Sequence, residues 1–249
     1  MAVAPVAHAF VVNSYQSGSE TLYLKWGGDN HAGTPGGVVY WSFIPAGTSG
    51  DAAFCSTACP GTSTDSIQME ISPGGGFASK KLSDLEIEIE AMMAQWSRYS
   101  GIQFVQLPSD SGVPINDPAA VPPVTGQIRI GVFAFSDNNV AGVGYSPPPN
   151  GGTGAGNILL NSNAFYQDYN LPEGSVFDNT NAKNDFQTLM LHELGHAVGL
   201  EHPPSNDGTC PVMYPDPPCY PIIRRQLQAD DIAGMWFLYG AIFVDGFEI

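Results

Sequence analysis

His192-Glu193-Leu194-Gly195-His196-Ala197-Val198-Gly199-Leu200-Glu201-His202 sets three imidazoles and one carboxylate, that of Glu193, at the spacing a catalytic zinc site needs. On a helix, positions i and i+4 share a face, so His192 and His196 project together towards one point. Glu193 stands beside the first histidine, placed to hold a metal-bound water rather than the metal. Gly199 ends the helix in a backbone conformation that a side chain would penalise. The chain then turns sharply and His202 returns as a third nitrogen. Three protein ligands leave the fourth tetrahedral position open, which marks a catalytic zinc site rather than a closed structural one. The candidate metal ligands are therefore His192, His196 and His202, and the candidate catalytic group is Glu193. The chain has only five histidines. The other two, His8 and His31, lie among polar or small residues and read as surface positions.

With 249 residues, 43% of them hydrophobic, the chain can bury one sizeable core. Only 13% of residues are charged, and 29 glycines with 21 prolines point to long ordered loops between short elements. Twenty-four acids against eight bases give a net charge of −16. Such a chain repels phosphate backbones and anionic lipid, which argues against nucleic-acid and membrane partners. Lys80-Lys81 and Arg224-Arg225 are isolated pairs, not a basic patch. The apolar stretch from Ile232 to Val244 is too short to span a bilayer. Met1 to Phe10 is small and apolar, either the end of a signal peptide or the start of a mature chain. The four cysteines fall in two close pairs, and two local bridges, Cys55–Cys59 and Cys210–Cys219, are the favoured connectivity. A thiol acting as a fourth zinc ligand is the competing view. Bridges of this kind persist in oxidising surroundings, so the expected location is secreted or periplasmic.

No internal repeat or long polar linker divides the chain. Val38 to Phe43 reads as a strand, followed by a loop to about Phe77 that carries Gly74-Gly75-Gly76. A helix is expected over Ser79 to Tyr99, with Leu82, Leu85, Ile87, Ile89, Met92, Met93 and Trp96 as its apolar residues. Ile102–Leu107, Gln127–Ala134 and Asn157–Asn161 read as further strands. The histidine-bearing helix should begin near Asn184, with Asn184 as N-cap and Gln187 three residues on. It should end at Leu200 or just before. A last helix is expected over Gln226 to Tyr239, stopping at Gly240. Strands and helices mix without clean alternation, giving an α+β or mixed α/β class.

The zinc string, with Met213 eleven residues later in Pro211-Val212-Met213-Tyr214-Pro215, resembles the metzincin clan of zinc endopeptidases. Within that clan the chain is most similar to the matrixins, in particular the bacterial ones. Leu227-Gln228-Ala229-Asp230-Asp231-Ile232-Ala233-Gly234 with Leu238-Tyr239-Gly240 is similar to the matrixin C-terminal helix. Lys25-Trp26 ahead of Val38–Phe43, and Ala141-Gly142-Val143-Gly144-Tyr145 followed by Gly156-Asn157-Ile158, are similar to earlier matrixin segments. The resemblance implies a metzincin-like catalytic domain over 26–240, with an N-terminal extension at 1–25 and a C-terminal tail at 241–249. It implies a twisted, mostly parallel five-stranded sheet with one antiparallel edge strand, and three helices. Asn157–Asn161 would be the edge, available for a peptide to pair with by strand addition. Met213 would lie under the zinc as a hydrophobic base. Asp230 and Asp231, in the first turn of the last helix, suit the helix dipole.

Departures from the family pattern matter as well. Pro203 follows the third histidine where matrixins usually carry serine. Position 215 is proline, so no tyrosine ligand is expected there. No histidine lies between 32 and 191, so a second, structural zinc is not expected. The glycine-rich loops leave room for calcium, with Asp137 and a few asparagines to hold it. The latency peptide of the family has no counterpart in these residues, so either it has been removed or latency works differently.

The ligand set implies one catalytic Zn2+, and the resemblance implies a zinc-dependent endopeptidase that hydrolyses peptide bonds of proteins or peptides; with the two bridges a secreted enzyme is expected, acting as a monomer. Zinc would lower the pKa of its bound water towards roughly 7, and Glu193 would accept the proton. Tyr214 to Tyr220, stiffened by prolines and the second bridge, would form a wall of the pocket after the scissile bond. Two other classes stand beside this one: a binding module that keeps zinc without catalysis, and a zinc hydrolase of a small non-peptide substrate.

Overall fold

The computed structural model describes residues 10–63, 72–73, 82–180, 183–206 and 208–241. His8, the glycine run at 74–76, the expected helix start at 79–81 and the tail beyond 241 lie outside these residues. Twelve strands and three α-helices are described. The strands are β1 (Val11–Val12), β2 (Ser14–Ser17), β3 (Glu20–Tyr23), β4 (Val38–Phe43), β5 (Ser72–Pro73), β6 (Gln103–Gln106), β7 (Ile128–Phe133), β8 (Gly142–Gly144), β9 (Ile158–Asn161), β10 (Phe165–Asp168), β11 (Lys183–Asp185) and β12 (Leu200–Glu201). The helices are α1 (Leu82–Ser100), α2 (Phe186–Ala197) and α3 (Ala229–Tyr239).

The main sheet has five strands in the order β6-β4-β7-β9-β8. Three of its pairings are parallel and β8–β9 is antiparallel. The mixed α+β class, with a mostly parallel five-stranded sheet and three helices, is thus borne out. β7 runs through the middle, and every one of its residues is buried. Such a strand must be covered on both faces. Ile128, Ile130 and Val132 join Trp41, Val39, Ile158 and Leu160 in the core shared with the helices. On the other face, Phe133 and Leu159 pack with Ile44, Ile115 and the Cys55–Cys59 bridge. Arg129 is buried there too. It forms a two-pronged ion pair with buried Asp110, Nε to Oδ2 at 2.8 Å and Nη2 to Oδ1 at 2.7 Å, which fastens the proline-rich loop to the sheet.

The expected edge strand is a correction. Asn157–Asn161 does not form the edge: β9 lies inside the sheet, parallel to β7, and all four of its residues are buried. The antiparallel edge is β8, Gly142–Gly144. A strand of three residues with two glycines has little β propensity of its own, so pattern reading passes over it.

α1 buries Leu85, Ile89, Met92, Met93 and Trp96, while Ile87 is exposed and falls off this stripe. α2 begins one residue later than expected. Its N-cap is Asp185, the last residue of β11, whose extended backbone precedes the helix and whose side chain accepts from Thr188 N at 2.9 Å. The Asp185 carboxylate also pairs with Arg225, whose Nε donates to Oδ2 at 3.0 Å. α3 starts at Ala229 rather than Gln226, behind a capping box of Gln228 and Asp231. Among the described residues, no helix is long and apolar enough to cross a membrane.

Candidate metal centre and its cleft

α2 carries His192, Glu193 and His196 against the edge strand. Its last turn closes where Val198 N donates to Leu194 O at 3.0 Å and Gly199 N to His196 O at 2.9 Å. Gly199 has φ +108°, and a Cβ there would lie 2.7 Å from the Leu24 carbonyl oxygen. Glycine is required at this exit for backbone angle and for room. The final carbonyls of the helix are satisfied from a distance. Trp26 Nε1 donates to Ala197 O at 2.7 Å, and the Tyr239 hydroxyl donates to Val198 O at 2.8 Å.

The turn brings His202 back to the other two imidazoles. His202 Nε2 stands 2.9 Å from His192 Nε2 and 3.0 Å from His196 Nε2. The far side of each helical histidine fixes its tautomer. His192 Nδ1 is 2.7 Å from Val212 O, and His196 Nδ1 is 2.8 Å from Leu200 O. A carbonyl can only accept, so each Nδ1 carries the hydrogen and each Nε2 presents a lone pair to the shared centre. Nitrogens held by zinc at 2.0–2.1 Å in a tetrahedron stand roughly 3.3 Å apart, close to the spacing here. Desolvation, then the neighbouring imidazole, holds His192 well below its ordinary value and lowers His196 to about 4. Both are neutral, as metal ligation demands. The donor set therefore fits a zinc ion, and His192, His196 and His202 are the group that could hold it. Among the described residues no other cluster of histidine, cysteine or carboxylate side chains gathers in this way.

Glu193 lies beside this centre, 4% exposed, and burial pushes its carboxyl up to about 8, with the Gly144 backbone amide pulling the other way. Glycines let β8 approach it. A Cβ at Gly142 would meet Glu193 Oε1 at 3.0 Å, and one at Gly144 would collide with the Glu193 carbonyl oxygen and meet His196 Cβ at 2.8 Å. The Tyr166 hydroxyl, shared between the carbonyls of Ala141 at 2.6 Å and Asn161 at 2.9 Å, holds the approach to this strand.

Below α2, Met213 packs where Gly195 leaves room, since a Cβ at Gly195 would collide with its sulfur. The Met213 segment is tied to α3 by one buried carboxylate. Asp231 Oδ2 accepts from Val212 N at 2.9 Å and Gln228 N at 2.8 Å, and Oδ1 accepts from Met213 N at 3.2 Å. Desolvation raises Asp231 to about 6 against these donors. Asp231 thus does more than suit the helix dipole, because it holds the peptide whose carbonyl orients His192. Asp230, also buried, accepts from Phe10 N at 3.1 Å.

The cleft has a volume of about 370 Å³. β8 borders it on one side, and Tyr214, Pro215, Cys219 and Tyr220 supply the wall expected from the sequence, with Pro211 beside them. The Cys210–Cys219 bridge spans that wall, and none of the cysteines is free. Phe177 and Ile222 also line the cleft, and a backbone bridge joins Val176 to Ile222. Neither was anticipated, since isolated apolar residues in a loop carry no periodic signal. His31 is an exposed residue, 2.6 Å from Asp29 Oδ1, as its surroundings suggested.

Residues 132–240 match the matrixin family of peptidases. That match takes in a little under half of the chain, and over it the chain is similar to a matrixin. It is also similar to karilysin of Tannerella forsythia, 28% identical over 163 residues. That stretch covers 65% of this chain and 30% of karilysin. The matrixin match takes in β8, β9, α2, the disulfide-spanned wall and α3, all the parts that build the cleft. β4 and β6 lie outside that match and complete the five-stranded sheet, with α1, also outside it, packed against α2 and α3.

Proposed function

We propose that the chain is a secreted zinc endopeptidase, with His192, His196 and His202 as the zinc ligands and Glu193 as the general base. The observation that carries this reading is the convergence of three Nε2 atoms beside a buried carboxylate in an open cleft. When bound, zinc supplies Lewis acidity that polarises the peptide carbonyl and acidifies the attacking water. Glu193 takes the proton from that water as its oxygen bonds to the carbonyl carbon. It then delivers the proton to the amide nitrogen as the C–N bond breaks. A carboxyl raised by burial suits both halves of this transfer, since it must accept and release the same proton. β8 ends the sheet, so its outer edge can pair with an extended substrate backbone. The wall across the cleft, with Tyr214, Tyr220, Phe177 and Ile222, favours an apolar side chain after the cleaved bond. Two disulfides support an oxidising location outside the cytoplasm.

Incubating the purified chain with a diverse peptide library tests the reading. Cleavage that a chelator abolishes and zinc restores is the expected result. A chain that holds one zinc and cleaves no peptide in the library would contradict it.

A further inference from the structure

The turn that delivers His202 is braced from outside by a part of the chain nearly two hundred residues away. β12 pairs antiparallel with β1, Val11 opposite Glu201 and Val12 opposite Leu200. Leu200 supplies the carbonyl that fixes the His196 tautomer, and Glu201 is the residue before His202. The Glu201 side chain joins three segments. Its Oε1 accepts from Asn13 Nδ2 at 2.6 Å and from Ser146 Oγ at 2.7 Å, while Oε2 stands 3.8 Å from His196 Nδ1. Asn13 is anchored in turn, because its carbonyl accepts from Leu24 N at 3.0 Å. Ser146 is buried in the loop that follows the edge strand. A carboxylate held by two short hydrogen bonds is a strong fixed point. Here it stands behind the His196 ring, on the Nδ1 side, without belonging to the converging set itself.

We infer that Glu201 is a positioning residue for the metal centre, acting with Asn13 and Ser146. This rests on the zinc reading above. By fixing the Leu200–His202 peptide, Glu201 sets both the carbonyl that orients His196 and the path on which His202 arrives. A hydrogen bond that merely kept β1 attached would change the thermal stability of the chain. It would leave the zinc affinity and the ligand geometry of the folded chain alone.

The test is zinc affinity by competition with a chromophoric chelator, together with the visible spectrum of the cobalt(II)-substituted chain. Wild type is compared with Glu201→Ala, Glu201→Gln, Asn13→Ala and the Glu201→Ala/Asn13→Ala double variant. Gln16→Ala serves as a control, since the Gln16 side chain bonds to Thr21 on the neighbouring strand. Groups that orient metal ligands from behind are worth roughly 10- to 100-fold in affinity, so Glu201→Ala should lose at least about tenfold and shift the cobalt bands. Glu201→Gln keeps an acceptor oxygen for both donors and should recover most of the loss. Asn13→Ala should weaken zinc in the same direction by less, and should add nothing on top of Glu201→Ala. Gln16→Ala should match wild type. A folded Glu201→Ala chain with zinc affinity within about twofold of wild type and unchanged cobalt bands would overturn the inference. If Glu201→Ala does not fold, Asn13→Ala and Ser146→Ala decide it, and wild-type affinity in both overturns it. A wild-type chain that binds no zinc would show in the first titration, and would bring down the zinc reading and this inference together.

Discussion

Two borders of the cleft reach the same centre by opposite means. On one side is β8, a strand of three residues that lies against α2 because Gly142 and Gly144 carry nothing to hold it away. On the other side is the wall from Cys210 to Tyr220, which holds its shape because much has been added. A disulfide spans it, four prolines stiffen it, and Asp231 gathers two of its amides. The glycine border needs closeness, since it must present a strand edge within reach of Glu193. The wall needs a fixed shape, since it carries the carbonyl that orients His192 and the surface that meets a side chain. One border should therefore fail by addition and the other by removal.

The largest effect should come from adding a methyl group to the first border. In Gly144→Ala the new carbon meets the backbone of Glu193, which cannot move without parting α2 from β8. Overpacking of this kind costs about 3 kcal/mol, read by urea unfolding. Displacing the base by a fraction of an ångström should lower kcat/KM on the order of 100-fold. Wild-type stability and turnover in Gly144→Ala would show that the close approach is not required.

Removal from the wall comes next. Replacing Cys210 and Cys219 together by serine should cost about 2–3 kcal/mol, the expectation for a loop of this size. It should also raise KM for peptides with a bulky apolar residue after the cleaved bond more than it lowers kcat. An unchanged preference across a matched peptide series would detach the bridge from substrate choice. Asp231→Ala leaves the Val212 and Met213 amides without their acceptor inside the protein, at about 2 kcal/mol, visible as a lower thermal midpoint of the metal-free chain.

The smallest effect sharpens the comparison. In Gly142→Ala the added carbon meets only the end of the Glu193 side chain, which can swing aside. Stability should change by less than about 1 kcal/mol while kcat/KM falls roughly tenfold. A larger loss of stability than in Gly144→Ala would reverse the order proposed for the two glycines.

The wall was far more legible in the sequence than the glycine border. Closely spaced cysteines, clustered prolines and a methionine after the third histidine announce it, and the HExxHxxGxxH string announces the three imidazoles. β4, α1 and α3 were visible through β-branched content and helical periodicity, with boundaries blurred by capping. Asp185 rather than Asn184 is the cap because a short strand, β11, which no local pattern announces, keeps the backbone extended through Asp185. β8 was missed because glycine weakens every local strand signal, and what keeps it in place is the helix it touches. The pairing of Val11 with Glu201 and the bond from Asn13 to Glu201 join positions far apart in the chain, and no local pattern carries such information. Residue type alone does not tell Ile87 from the apolar residues that α1 buries, and the geometry of the helix turns it to solvent.

The central claim is that Glu193 acts on water while the three histidines hold the metal, so the two roles should separate in one substitution. The direct measurement is zinc content and kcat/KM on a single cleaved peptide, for wild type and Glu193→Gln side by side. Both proteins should hold one zinc per chain with similar affinity, and kcat/KM of the variant should fall by at least about 10³-fold. A zinc-loaded Glu193→Gln chain that cleaves the peptide at near the wild-type rate would contradict the account.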